Sequence, residues 1–157
     1  AVVFLANKGG GKSTLATVLV DKLAREDRKV LYVAAEEGQG DALVARLSRL
    51  EVMNPWLHFS NAVSGSELIE DLEEGGYRLV VLDSVSVLNV GLADLAGSLD
   101  RRDLSAILIA HATKEGQAAG PARLAHEVDV VVEVAGLRWR TTKNRHGPLA
   151  EGSAMLD

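Results

Sequence analysis

Ala6-Asn7-Lys8-Gly9-Gly10-Gly11-Lys12-Ser13-Thr14 has the residue types and spacing of a phosphate-binding loop. The apolar run Val2-Val3-Phe4-Leu5 precedes it, and a helical pattern with Leu15, Val18, Leu19 and Leu23 on one face follows. Strand, glycine-rich turn, Lys-Ser and helix is the order such a loop requires. Its glycines let successive backbone N–H groups point into one concavity, where phosphate oxygens can sit. The helix adds the positive end of its dipole. On this reading Asn7, Lys8, Gly9, Gly10, Gly11, Lys12, Ser13 and Thr14 cradle the phosphates of a nucleotide. Lys12 reaches the β- and γ-phosphates, and the Ser13 hydroxyl ligates Mg²⁺. Ala6 stands where the usual pattern opens with glycine, so the entry to the loop must use a conformation open to alanine. A plain glycine-rich turn is the simpler alternative, but it gives Lys12-Ser13 no packing purpose.

Three further positions follow apolar runs. Asp83 ends Leu79-Val80-Val81-Leu82, where phosphate-loop proteins hold Mg²⁺ directly or through water. The bland alternative is an aspartate opening a turn. Glu36 and Glu37 follow Val33-Ala34-Ala35. Adjacent carboxylates at a strand end are awkward unless one faces a cation or solvent. Glu36 is read as the group that orients the water attacking the γ-phosphate, and Glu37 as structural; a solvated loop pair is the alternative. His111 follows the apolar run 105–110 and could sense the γ-phosphate, or simply bond to backbone. His58 and His126 fall away from this edge, and no metal-ligand spacing links the histidines. His126 is read as a satisfied structural side chain.

Arg138, Arg140, Lys143 and Arg145 cluster near the end of the chain. In a strand, Arg138 and Arg140 share one face, with Leu137 and Trp139 on the other. One reading is an edge strand protected by charge. In the other, Lys143 and Arg145 meet phosphate, either of nucleic acid or of a nucleotide held by a neighbouring subunit. A cation supplied in trans is worth roughly 10³–10⁵ in rate where it operates.

The elements that must position these groups alternate. Strands are predicted at 2–6, 30–34, 56–59, 79–83 and 105–110, and helices at 13–25 and 41–50. The second helix carries Leu43, Val44, Leu47 and Leu50 on its apolar stripe. Ser64 with Glu67 is a capping box that opens a third helix, which Gly75-Gly76 ends. A weak helix is predicted at 92–99, a polar loop at 113–120 and a short helix from Pro121 to His126. Strands at 129–134 and 137–143 flank a tight turn at Ala135-Gly136, and a last short strand falls near Met155. The sum is an α/β fold, a mainly parallel sheet flanked by helices with a C-terminal antiparallel hairpin. Ligands on such sheets bind beyond the carboxyl ends of the strands, which is where the phosphate loop, Glu36, Asp83 and His111 all fall.

A length of 157 residues suits one domain, 1–157, with a sizeable core. The absence of cysteine excludes disulfides and cysteine-ligated zinc and fits a cytoplasmic protein. No apolar run approaches membrane-spanning length. The net charge of −5 leaves nucleic-acid contact to a local basic patch. Ala1 lies almost inside the first strand, so the sequence reads as trimmed or processed.

Four segments resemble RadA/Sms, the bacterial branch-migration relatives of RecA. Leu31-Tyr32-Val33-Ala34-Ala35-Glu36-Glu37 is similar to that family's L-Y-V-S-G-E-E. His111-Ala112-Thr113-Lys114-Glu115-Gly116 resembles G-H-V-T-K-E-G without its first residue. Gly120-Pro121 with Leu124, His126, Val128 and Asp129 resembles G-P-x-x-L-x-H-x-V-D. Lys143-Asn144-Arg145-His146-Gly147 resembles K-N-R-F-G, with His146 in place of Phe. The resemblance implies a RecA-like P-loop NTPase core that binds ATP with Mg²⁺ and assembles as a homo-oligomeric ring or filament. It further implies ATP-driven action on single-stranded or branched DNA, with Glu36 activating water. Lys143 and Arg145 would then act across a subunit boundary or on DNA. The family's four-cysteine zinc module and protease-like domain have no counterpart in these 157 residues, and the segment between Asp83 and His111 is short. The sequence thus reads as a stripped core, either a fragment or a minimal relative.

Two other classes compete. A nucleotide-switched regulator of the partition or clock type would turn over slowly and bind partners. The partition family's signature lysine lies five residues before the loop lysine, whereas Lys8 lies four before Lys12. A small-molecule kinase would need an arginine-rich lid, and no such insertion is present.

Overall fold

The computed structural model describes residues 2–6, 10–37, 40–62, 64–85, 97, 103–111 and 125–153. Its elements are β1 (Val2–Ala6), α1 (Lys12–Leu23), β2 (Val30–Val33), α2 (Asp41–Arg49), β3 (Leu57–Ser60), α3 (Gly65–Gly75) and β4 (Leu79–Asp83), then β5 (Ser105–His111), β6 (Val130–Ala135), β7 (Arg138–Asn144) and β8 (Glu151–Ser153). One eight-stranded sheet runs in the order β3-β2-β4-β5-β1-β6-β7-β8. Neighbours from β3 to β6 pair in parallel, and β7 and β8 add an antiparallel edge. The α/β class, the parallel majority and the final hairpin are therefore as the sequence predicts. The last strand ends before Met155, which lies outside the described residues. So do the predicted helix at 92–99 apart from residue 97, the loop at 113–120 and the start of the helix at Pro121.

Strands that are apolar on both sides need cover on both faces, and the core divides accordingly. Leu31, Val33, Val80, Leu82 and Leu108 pack with Leu68 and Leu72 of α3. Val30, Tyr32, Val81 and Ile109 pack with Leu15 and Val20 of α1 and Leu43 of α2 on the other face. The alternation along each strand sends successive side chains to opposite clusters.

Two predicted apolar stripes are rotated. In α1 the buried residues are Lys12, Leu15, Ala16, Thr17 and Val20, while Leu19 is 37% exposed. Lys12 turns inward at the start of the helix, and positions four and eight residues later then face the sheet. In α2 the buried pair is Leu43 and Arg46, and Val44 lies at the surface.

The helix starts differ as well. Ser64 accepts from the Glu67 N–H at 3.3 Å while the Glu67 carboxylate accepts from the Ser64 N–H at 3.2 Å, so α3 is closed by its capping box. Gly11 at the N-cap of α1 has no side chain to offer, and no acidic residue lies in the first turn of that helix.

Gly11 caps α1 at φ +81°, and the space a side chain would need is taken by the turn between β6 and β7. A Cβ built on Gly11 would lie 2.2 Å from the Gly136 carbonyl oxygen. Gly11→Ala must therefore shift either the loop or the hairpin turn, and adopts a strained φ besides. It is expected to lower stability by more than ~1 kcal/mol, read as a shifted midpoint in chemical denaturation with an unchanged slope.

Candidate functional site

The register of the sheet decides what meets at its carboxyl edge. Ala6, the last residue of β1, pairs with His111, the last of β5. Asp83 at the end of β4 pairs with Ile109 one strand over. The Glu36 N–H donates to the Asp83 carbonyl at 3.0 Å, which ties the loop after β2 to the end of β4. Lys12, Glu36, Asp83 and His111 are brought to one place by these pairings. Asn7, Lys8 and Gly9 lie outside the described residues. Gly10, Gly11, Ser13 and Thr14 stand at the start of α1, where the sequence places them.

Lys12 is 4% exposed. Its Nζ lies 3.3 Å from His111 Nδ1, and His111 Nε2 lies 3.0 Å from the Glu36 carboxylate. An ammonium only donates, so Nδ1 accepts and Nε2 carries the hydrogen that Glu36 receives. The three side chains form one chain, Lys12–His111–Glu36. Burial pulls the Lys12 pKa below its ordinary value, and the charges of Asp83 and Glu36 oppose that shift.

Asp83 is 3% exposed and accepts from the Tyr32 hydroxyl at 2.7 Å. Tyr32 is fully buried; burial, then the neighbouring Asp83 charge, push its pKa well above 10.0 and keep it a neutral donor. A hard carboxylate oxygen from Asp83 and the Ser13 hydroxyl suit Mg²⁺, which commonly takes one or two protein oxygens and completes its shell with phosphate and water. No group of three or more His, Asp or Glu side chains among the described residues could cage a metal by itself.

Sequence reading missed Tyr32 and Arg46. Tyr32 sits in an apolar run and looks like core. Arg46 is 6% exposed, donates to Glu37 at 2.5 Å, and lies 5.6 Å from the centre of the Tyr32 ring. The available signal was its position three residues after Leu43 on the buried stripe.

Lys143 and Arg145 lie elsewhere. Lys143 pairs with Val131, which pairs with Val3, so its backbone sits three residues, or about 10 Å of strand rise, before the end of β1. Its Nζ donates to the Ala125 and His126 carbonyls, each at 2.8 Å. Arg145 donates to the His126 carbonyl at 3.2 Å and faces Asp129 at 3.4 Å. The carbonyl of His126, rather than its exposed ring, is the part bonded here. Arg138 and Arg140 share the exposed face as predicted, and Arg140 forms a forked contact with Glu133 at 2.8 and 2.6 Å. His58 bonds to Tyr77 and the Pro55 carbonyl, away from the site.

A phosphate-type loop after the central β1, carboxylates after β2 and β4, and an antiparallel hairpin beyond β6 define a RecA-type P-loop NTPase core. Solved structures agree on the fold. The flagellar accessory protein FlaH from Methanocaldococcus jannaschii superposes with a TM-score of 0.70 at 14% identity, over 98% of this chain and 89% of that one. The ATPase domain of G40P gives 0.63 at 13% identity, over 97% and 79%. No family model matches the chain. Among curated proteins, DNA repair protein RadA of Campylobacter jejuni is 32% identical over 150 residues, 86% of this chain and 33% of its own length. RadA of Helicobacter pylori is 33% identical over 164 residues, and RadA of Aquifex aeolicus 33% over 172. The chain belongs to the RadA/Sms-like branch of the RecA superfamily. It spans about a third of the length of these relatives. No helix among the described residues is long and apolar enough to cross a membrane.

The buried ammonium has a consequence for pH dependence. The folded pKa of Lys12 is below its unfolded value of 10.5. Between the two, the unfolded chain binds more protons, so Lys12 makes stability rise with pH through that window. Lys12→Met is expected to remove this rise in denaturation midpoints measured up to pH 10.5. It should keep the fold while losing ATP affinity, read with a fluorescent nucleotide.

Proposed function

We propose that this chain is the motor core of an Mg²⁺-dependent ATPase that acts on DNA as a homo-oligomer. The observation that carries the reading is the convergence of Lys12, Glu36, Asp83 and His111 at the start of α1. The kinship with RadA supports DNA as the substrate class and repair as the setting.

In this mechanism the N–H groups at residues 10–14 and the Lys12 ammonium bind the β- and γ-phosphates. Ser13 and Asp83 would hold Mg²⁺, which neutralises developing phosphate charge. Tyr32 orients Asp83 by its hydrogen bond. Glu36 orients the attacking water as general base. His111 bonds to Glu36 on one side and Lys12 on the other, so a phosphate that draws Lys12 away also changes what the imidazole holds. That is the sensing role for His111. A group that exchanges partners on nucleotide arrival needs no large movement.

Lys143 and Arg145 cannot join this site within one subunit, given their position at the opposite end of the strands. Their proposed role is therefore in trans, on the nucleotide of a neighbouring subunit in a ring or filament, or on DNA. Both side chains would have to exchange backbone carbonyls for phosphate.

The test is ATP hydrolysis with and without single-stranded DNA, across a range of protein concentrations. Wild type is expected to rise with DNA and more than linearly with protein. Glu36→Gln should lose roughly 10²–10⁴ in turnover with ATP binding intact. Lys143→Ala should lose the DNA and concentration effects while its ATP affinity persists, with a thermal midpoint lowered by the two carbonyl contacts it gives up. Hydrolysis linear in protein, indifferent to DNA and unchanged in Lys143→Ala would instead leave a nucleotide-binding core of the switching type.

A further inference from the structure

Arg46 is a buried charge that packing does not require. Its side chain is 94% withdrawn from solvent, yet Nε and Nη2 have no hydrogen-bond partner among the described residues. Unmatched donors on a buried cation are destabilising. An apolar side chain of similar volume at such a place is commonly neutral or stabilising. The contacts of Arg46 supply a different reason for it. Nη1 pairs with Glu37 at 2.5 Å, and Glu37 is covalently next to Glu36. The guanidinium lies 5.6 Å from the centre of the Tyr32 ring, within cation–π range. The Tyr32 hydroxyl holds Asp83 at 2.7 Å. Glu36 and Asp83 are themselves joined by a backbone hydrogen bond of 3.0 Å. Arg46 thus closes a ring of contacts: Arg46 to Glu37, along the chain to Glu36, across to Asp83, back through Tyr32.

We propose that Arg46 is a positioning residue for ATP hydrolysis. It touches neither nucleotide nor metal and acts through Glu37 and Tyr32. Its charge anchors the loop that carries Glu36, and its face braces the ring that orients Asp83. The inference rests on the roles proposed above for Glu36 and Asp83. α2 thereby does more than cover the sheet: it sets the spacing between the water-activating and metal-holding carboxylates.

Three variants test this: Arg46→Met, Arg46→Lys and Glu37→Gln, each compared with wild type in the full chain. The readings are kcat and KM for ATP, affinity for a fluorescent ATP analogue and the thermal midpoint. Arg46→Met is expected to match or exceed the wild-type midpoint and to bind ATP equally well. Its kcat should fall roughly 10- to 100-fold, the scale of a misplaced catalytic group. Arg46→Lys keeps a charge for Glu37 but not the guanidinium over the Tyr32 ring, and should fall between the two. Glu37 is a third exposed, so Glu37→Gln breaks the same link without opening the core. It should also lower kcat at constant affinity. Combined with Arg46→Met it should add no further loss. Wild-type kcat in Glu37→Gln or in folded Arg46→Met would overturn the proposal while leaving the ATPase reading intact. A wild-type chain that binds no ATP would overturn both.

Discussion

A lysine ammonium cannot be 4% exposed without fixed partners, and the upper edge of the sheet is arranged around that fact. Burial alone would drive Lys12 toward its neutral form. Asp83 and Glu36 hold the charge in place, and His111 accepts one of its hydrogens. Each of these groups arrives from a different strand, so the parallel sheet is what makes the site affordable. The same constraint reaches into α1. With Lys12 turned inward, Ala16 and Val20 become the buried positions and Leu19 is left outside. A charge at one end of the helix has fixed the rotation of the whole helix.

That is also where reading from the sequence succeeded and where it fell short. The helix start at Lys12-Ser13, the strand-end positions of Glu36 and Asp83, and the capping box at Ser64 are local patterns with local physical meaning. Each was legible, as was the alternation that yields a parallel sheet and a terminal hairpin. The faces of α1 and α2 were not. Both were assigned by assuming that apolar residues define the buried stripe. In α1 the inward-turned Lys12 overrides that rule, and in α2 Arg46 is buried while Val44 lies outside, although Leu47 packs against the core as read. Tyr32 was hidden for the converse reason. Inside an apolar run its hydroxyl carries no signal until β4 is known to lie beside β2.

The position of Lys143 and Arg145 was illegible for a third reason. Sequence order says that they follow β6; only the register says which end of β1 they stand beside. Antiparallel return carries β7 away from the phosphate loop as the chain runs from Arg138 to Asn144. A bulge between Val131 and Val132 leaves Thr142 as an extra residue in β7 and adjusts the strand just before Lys143. Both cations then close on the carbonyls that precede β6, where they satisfy backbone acceptors. In an isolated subunit they are therefore structural. Any part in chemistry has to be conferred by a second molecule that competes for them.

The hairpin that carries these cations also touches the phosphate loop. Its turn places the Gly136 carbonyl where a Gly11 side chain would have to be, and its far end holds Lys143 and Arg145. Between the two, β7 is paired with β6, and β6 with β1. Antiparallel pairing over this length resists bending in the plane of the sheet, because each displaced residue breaks a ladder hydrogen bond. The two ends of β7 are thus parts of one stiff body. A contact made at Lys143 and a change in the loop at Gly11 are separated by paired backbone rather than by a flexible linker.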